Sequence, residues 1–223
     1  MPVASLSRFI IISVLHCGIY LRKMGTETRR GVGAGANPGM VWEWDEIARD
    51  LARGGRRVFI PNMHSDPQTK PGGKSRVFDV LDLLVKQLHN ETGRPDTKEQ
   101  YTKKAQDSTA DVTIMGKSWG GDQALRYTAH RPGIVDKLVL VAPVGKGDAP
   151  SEWRGRGPAT IPALLLFAKD DMTFSGARDV KQRKLAGLLP NLQVHSIEKG
   201  GHRIRPEFSP FIISFLGSSK RTL

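Results

Sequence analysis

Residues 111–130 read DVTIMGKSWGGDQALRYTAH. Asp111–Met115 has the apolar, β-branched pattern of a buried strand, and Trp119–His130 that of a helix stopped by Pro132-Gly133. Between them Gly116-Lys117-Ser118-Trp119-Gly120 forms G-x-S-x-G, followed by Gly121. In a strand–turn–helix this motif is a nucleophile turn. The bend is so tight that the serine backbone is strained and its neighbours have no room for side chains. The hydroxyl is lifted above the sheet toward a base. The amides that open the helix, that of Trp119 included, face the oxyanion that forms on attack. Ser118 is therefore the predicted nucleophile and Trp119 N–H a predicted oxyanion donor.

Outward from this turn, strand and helix patterns alternate. Phe9–Leu15, Arg57–Ile60, Lys137–Val141, Ala163–Phe167 and Leu192–Ile197 read as strands. Trp42–Arg53 reads as a helix with Trp44, Ile47, Ala48 and Leu51 on one face and Gly54-Gly55 as its stop. Val77–Leu88 is an amphipathic helix through Phe78, Leu81, Leu84, Val85 and Leu88. Asp179–Leu189 is predicted with Val180, Leu185 and Leu188 inward, and Pro206–Leu216 closes the series. Residues 90–110 are polar and read as a loop with room for one helical turn. Gly31–Gly39 is a glycine-rich loop and 20–38 an uncertain insertion or surface loop. The alternation predicts the α/β class, a mostly parallel sheet with helices on both faces. Sites in such sheets gather at the carboxyl ends of the strands.

A serine needs a base, and the base an orienting acid. Of the six histidines, only His195 and His202 lie well after Ser118. His195 falls within the alternating strand LQVHSI and reads as structural. His202 lies in the loop Lys199-Gly200-Gly201-His202 that leaves that strand's end, and is the predicted base. The acid belongs after the strand ALLLF, where Asp170 and Asp171 are adjacent and only one can face the imidazole.

Gly116–Gly121, Asp171 and Gly200-Gly201-His202 together resemble the α/β-hydrolase superfamily of serine hydrolases over residues 9–217. The family acid closes a G-x-x-D turn. Here that turn is Ala168-Lys169-Asp170-Asp171, so the resemblance favours Asp171. The likeness is to small lidless members, which include esterases, thioesterase-like enzymes and a protein-lysine deacylase. Only about twenty residues separate Lys137–Val141 from Ala163–Phe167, which leaves no room for a helical cap and implies an open, shallow pocket. The amino-terminal half departs from the family: the usual His-Gly element is His16-Cys17-Gly18-Ile19, one residue longer. Either Gly18-Ile19 or the loop GAGANPGM supplies the second oxyanion amide. In the loop after the second strand, His64 and Asp66 are candidate substrate contacts, though such residues more often bond within their own loop.

The chain of 223 residues is read as a single domain, with 1–8 and 218–223 as flexible ends. At 39% hydrophobic and 25% charged residues it is globular in composition. A single cysteine, Cys17, excludes an internal disulfide and a cysteine-rich zinc site. Gly-Lys-Ser recurs at 73–75 and 116–118, but the glycine that a phosphate-binding loop needs is replaced by Gln68 and Asp111. The net charge of +12 is dispersed and no nucleic-acid module accompanies it, so it reads as a surface that attracts anionic acyl substrates. The apolar run Phe9–Leu21 is too short to span a bilayer. A cytoplasmic location is the default, with mitochondrial targeting or an amino-terminal anchor as the alternatives.

The expectation is a serine hydrolase acting on a small acyl substrate, with no metal or organic cofactor, no specific nucleic acid and no transmembrane segment. Two alternatives stay open: a non-catalytic protein-binding module of the same fold, and a protein-lysine deacylase or acyltransferase.

Overall fold

The computed structural model describes residues 9–13, 42–60, 74–91, 112–131, 133–143, 153, 160–175 and 178–217. Among them the chain runs β1 (Phe9–Ser13), a 3-10 turn (Trp42–Trp44), α1 (Asp45–Arg53), β2 (Arg57–Phe59), α2 (Lys74–Glu91) and β3 (Val112–Lys117). It continues through α3 (Trp119–His130), β4 (Lys137–Val141), β5 (Ala163–Ala168), a single helical turn (Met172–Ser175), α4 (Arg178–Leu188) and β6 (Leu192–Ile197). A 3-10 turn (Pro206–Phe208) then leads into α5 (Ser209–Gly217).

The strands form one sheet in the order β2-β1-β3-β4-β5-β6, and every described pairing is parallel. From β1 the chain steps one way to β2, then crosses β1 to reach β3 and continues outward. Right-handed crossovers put helices on opposite faces when the direction of travel reverses, and the packing follows that rule. Trp44, Ile47, Ala48 and Leu51 of the α1 region and Ile212, Phe215 and Leu216 of α5 cover the face carrying Met115, Val139, Val141, Leu164 and Leu166. On the other face α2, α3 and α4 supply Leu81, Val85, Leu125, Tyr127 and Leu185 against Ile114, Leu138, Leu140, Leu165 and Phe167. The alternation of β3, β4 and β5 thus separates into two apolar layers. The strand order reverses between β1 and β3, the switch point at whose carboxyl ends sites of such sheets form, and Ser118 directly follows β3.

Differences from the expected elements are local. The helix predicted at 77–88 runs from Lys74 to Glu91, so it takes in the first residues of the predicted loop 90–110. The helix predicted from Trp42 opens as a 3-10 turn. Val180, expected inward, is 42% exposed. Leu185 is buried and Leu188 packs against the core as expected. Lys181 holds the place expected of Val180, with its ammonium 4.9 Å from the centre of the Phe174 ring. Among the described residues, no helix is long and apolar enough to cross a membrane.

Candidate active site

Ser118 follows the last residue of β3. Its N–H donates to Val141 O at 2.9 Å, one step beyond the β3–β4 ladder. The chain then turns into α3 within that one residue, which takes φ 55° and ψ −124°. A side chain held in such a conformation stores about 1–3 kcal/mol of strain. The glycines around it have steric causes. A Cβ on Gly116 would lie 2.2 Å from the carbonyl oxygen of Gly120, and one on Gly121 2.9 Å from Pro143 Cβ. Gly121 N–H and Asp122 N–H donate to Ser118 O at 3.0 and 3.3 Å and start the helix, of which Trp119 is the first residue. Farther along, Asp82 of α2 accepts from Tyr127 Oη at 2.8 Å and Arg131 Nε at 3.0 Å, which fastens α3 to α2.

The two adjacent aspartates after β5 have separate tasks. Asp171 is fully buried. Its Oδ1 accepts from Thr173 N–H at 2.9 Å and Phe174 N–H at 3.1 Å, which starts the turn Met172–Ser175. Its Oδ2 lies 2.7 Å from His202 Nδ1. A carboxylate only accepts, so Nδ1 is the nitrogen that donates to it, and in the neutral imidazole the lone pair is then on Nε2. That Nε2 is buried and has no hydrogen-bond partner among the described residues. A buried polar atom left unmatched is costly and uncommon.

Asp170 points elsewhere. Its Oδ1 accepts from Gly200 N–H at 2.9 Å and Gly201 N–H at 2.8 Å, so it clamps the turn that delivers His202. The bond from Gly201, then that from Gly200, outweighs desolvation and holds its carboxyl below the usual carboxylate range. Gly201 takes φ 58°, a conformation glycine adopts without penalty. His195 is placed in β6 with its ring stacked on Phe211, centroids 4.6 Å apart.

The parallel sheet brings Ser118, Asp171 and His202 to the same edge, since each follows the carboxyl end of a strand. Gly18, Ile19, His64, Asp66, Cys17, the glycine-rich loop 31–39, the segment 20–38 and both chain ends lie outside the described residues. Most of the interval between β4 and β5 does too. Sequence reasoning missed two residues. One is Asp170 as a clamp, signalled only by a second carboxylate beside the expected acid. The other is Glu43, whose carboxylate meets Lys117 Nζ at 2.6 Å. The signal for it was a lysine two places after Met115, on the same buried face of β3. Among the described residues, no group of three or more His, Cys, Asp or Glu side chains is placed to hold a metal ion.

A family model described as the alpha/beta hydrolase fold matches residues 34–162, more than half of the chain. No curated protein matches it. Among solved structures, a predicted CIB-like hydrolase from Thermoplasma acidophilum superposes with TM-score 0.59 at 17% identity, covering 96% of this chain and 88% of its own. A monoacylglycerol lipase from Paleococcus ferrophilus gives 0.58 at 12%, covering 93% of each chain. The thioesterase domain of the curacin biosynthetic pathway gives 0.57 at 10%, covering 95% of this chain and 91% of its own. At these identities the likeness is one of fold.

Proposed function

The chain belongs to the α/β-hydrolase family, and from that premise we propose that it is a serine hydrolase cleaving a small ester, thioester or amide through an acyl-enzyme on Ser118. Ser118 Oγ attacks the carbonyl carbon while His202 Nε2 takes its proton. Asp171 keeps the imidazole in the tautomer that leaves Nε2 free to act, and stabilises the imidazolium without itself being protonated. Trp119 N–H and a second amide, from Gly18-Ile19 or the loop 33–40, receive the oxyanion. Collapse of the tetrahedral intermediate breaks the bond to the leaving group, which takes the proton from His202. Water, deprotonated by the same nitrogen, then attacks the acyl carbon. The second collapse releases the acid and regenerates Ser118.

The observation that carries this reading is His202 itself. One ring nitrogen is fixed on a fully buried carboxylate, and the other is buried with no partner among the described residues. The short interval between β4 and β5 favours a lidless, shallow pocket and a short acyl group. His64 contacts the substrate in this account.

The experiment is a panel of p-nitrophenyl esters of increasing acyl length, tested on the wild type and Ser118→Ala. Hydrolysis should favour short chains and fall by roughly 10⁴-fold in the variant. Equal rates in the two proteins would overturn the mechanism. A preference for the longest chains would overturn the shallow pocket alone.

A further inference from the structure

A buried ion pair stands beside the nucleophile turn. Lys117, immediately before Ser118, donates from Nζ to Glu43 Oε2 at 2.6 Å, and the two side chains are only 9% and 6% exposed. The same oxygen accepts from Ile204 N–H at 3.4 Å, two residues after His202. Glu43 belongs to the turn before α1, where its neighbour Trp44 is buried under the sheet. One carboxylate oxygen therefore ties the end of β3 to the loop after β6, from a third segment anchored in the core. Two charges taken out of water gain little stability over an apolar pair of the same volume, so stability alone is a weak account of this arrangement.

We propose that Glu43 is a positioning residue: with Lys117 and Ile204 N–H it holds the Ser118 turn and the His202 loop in the separation that proton transfer requires. This rests on the serine-hydrolase reading for its kinetic consequence, but its structural consequence is independent of it. Asp170 secures the same loop upstream, at Gly200 and Gly201, so His202 is held from both sides. A misplacement of about 1 Å between reacting groups costs on the order of 100-fold in rate, which is the scale on which such a brace acts.

The test uses Glu43→Leu/Lys117→Met, which removes both charges together and is expected to fold with an unchanged melting temperature. Lys117→Arg, which retains the ion pair, is the conservative comparison, and Glu43→Ala is a second probe. Amide hydrogen exchange is followed over residues 117–121 and 199–205, and kcat and KM are measured on a short ester. In the double variant, exchange should quicken in both segments. Its kcat should fall roughly 10–100-fold with KM within about twofold of the wild type. Lys117→Arg should restore both readouts. Exchange unchanged in either segment, or kcat unchanged in a folded double variant, overturns the brace. Quickened exchange in the double variant, together with a wild type that has no esterase activity, would uphold the brace and overturn the hydrolase reading instead.

Discussion

At Ser118 the fold concentrates strain on the proposed nucleophile. Its φ of 55° is one of two positive values among the described non-glycine residues, the other being Ala142 at the end of β4. The crowding at the turn makes a sharp prediction. Gly116→Ala places a methyl 2.2 Å from a backbone oxygen that no side-chain rotation can relieve. It should cost about 3 kcal/mol or more. A thermal melt within a degree or two of the wild type would contradict that placement. The two aspartates separate by measurement as well. Asp171→Asn should lower kcat by roughly 10³–10⁴-fold with modest change in KM, because the imidazole loses the partner that fixes its tautomer. Asp170→Asn should act through stability and its pH dependence. The folded-state pKa of Asp170 is depressed, so its charge stabilises fully above the unfolded value of about 3.9. That contribution is lost as pH falls through the lower folded value. The melting-temperature gap between wild type and Asp170→Asn should hold steady near neutrality and close below about pH 4. A gap that widens on acidification would contradict the clamp.

Among the elements, the β3–turn–α3 unit was legible because its constraints are local: an apolar run, a glycine-flanked serine and a helix stop. The faces of α1 and α2 were legible for the same reason, since Trp44, Ile47, Ala48 and Leu51, and Phe78, Leu81, Leu84 and Val85, recur at helical spacing and are all buried. The failure at Val180 shows the limit. Apolar character placed it inward, whereas the geometry gives the inward position to the lysine beside it, whose stem and charge are accommodated by an aromatic face. The roles of Glu43 and Asp170 were signalled only faintly, for a different reason. Their partners lie 30 to 161 residues away in sequence, and no local pattern names those partners. A similar long-range contact secures α5. Lys137, buried in β4, donates from Nζ to Phe215 O at 3.1 Å and Leu216 O at 3.2 Å, carbonyls that the end of a helix leaves open. Lys137→Met should lower stability by about 1–3 kcal/mol in a denaturant titration. A melt equal to the wild type would show that these carbonyls find other partners.

For the molecule as a whole, the order of the strands matters more than any one of them. The reversal at β1 sets the switch point of the sheet, and parallel pairing brings residues separated by 84 positions, Ser118 and His202, to its carboxyl end. The net charge of +12 works at this scale too. It should draw anionic acyl substrates by long-range attraction. The range of that attraction contracts from about 30 Å at 0.01 M salt to about 3 Å at 1 M. For an ester with a free carboxylate, kcat/KM should therefore fall steeply with salt, while that of a neutral ester of the same length changes little. Identical salt profiles would assign the charge to another purpose. The central claim is that one serine, activated by the nitrogen that His202 leaves unpaired, carries the chemistry. Intact-mass spectrometry after exposure to a fluorophosphonate measures it most directly. A single phosphonyl adduct is expected, mapped to Ser118 and absent from Ser118→Ala. No adduct at any pH from neutral upward, or the same adduct on the alanine variant, would contradict it.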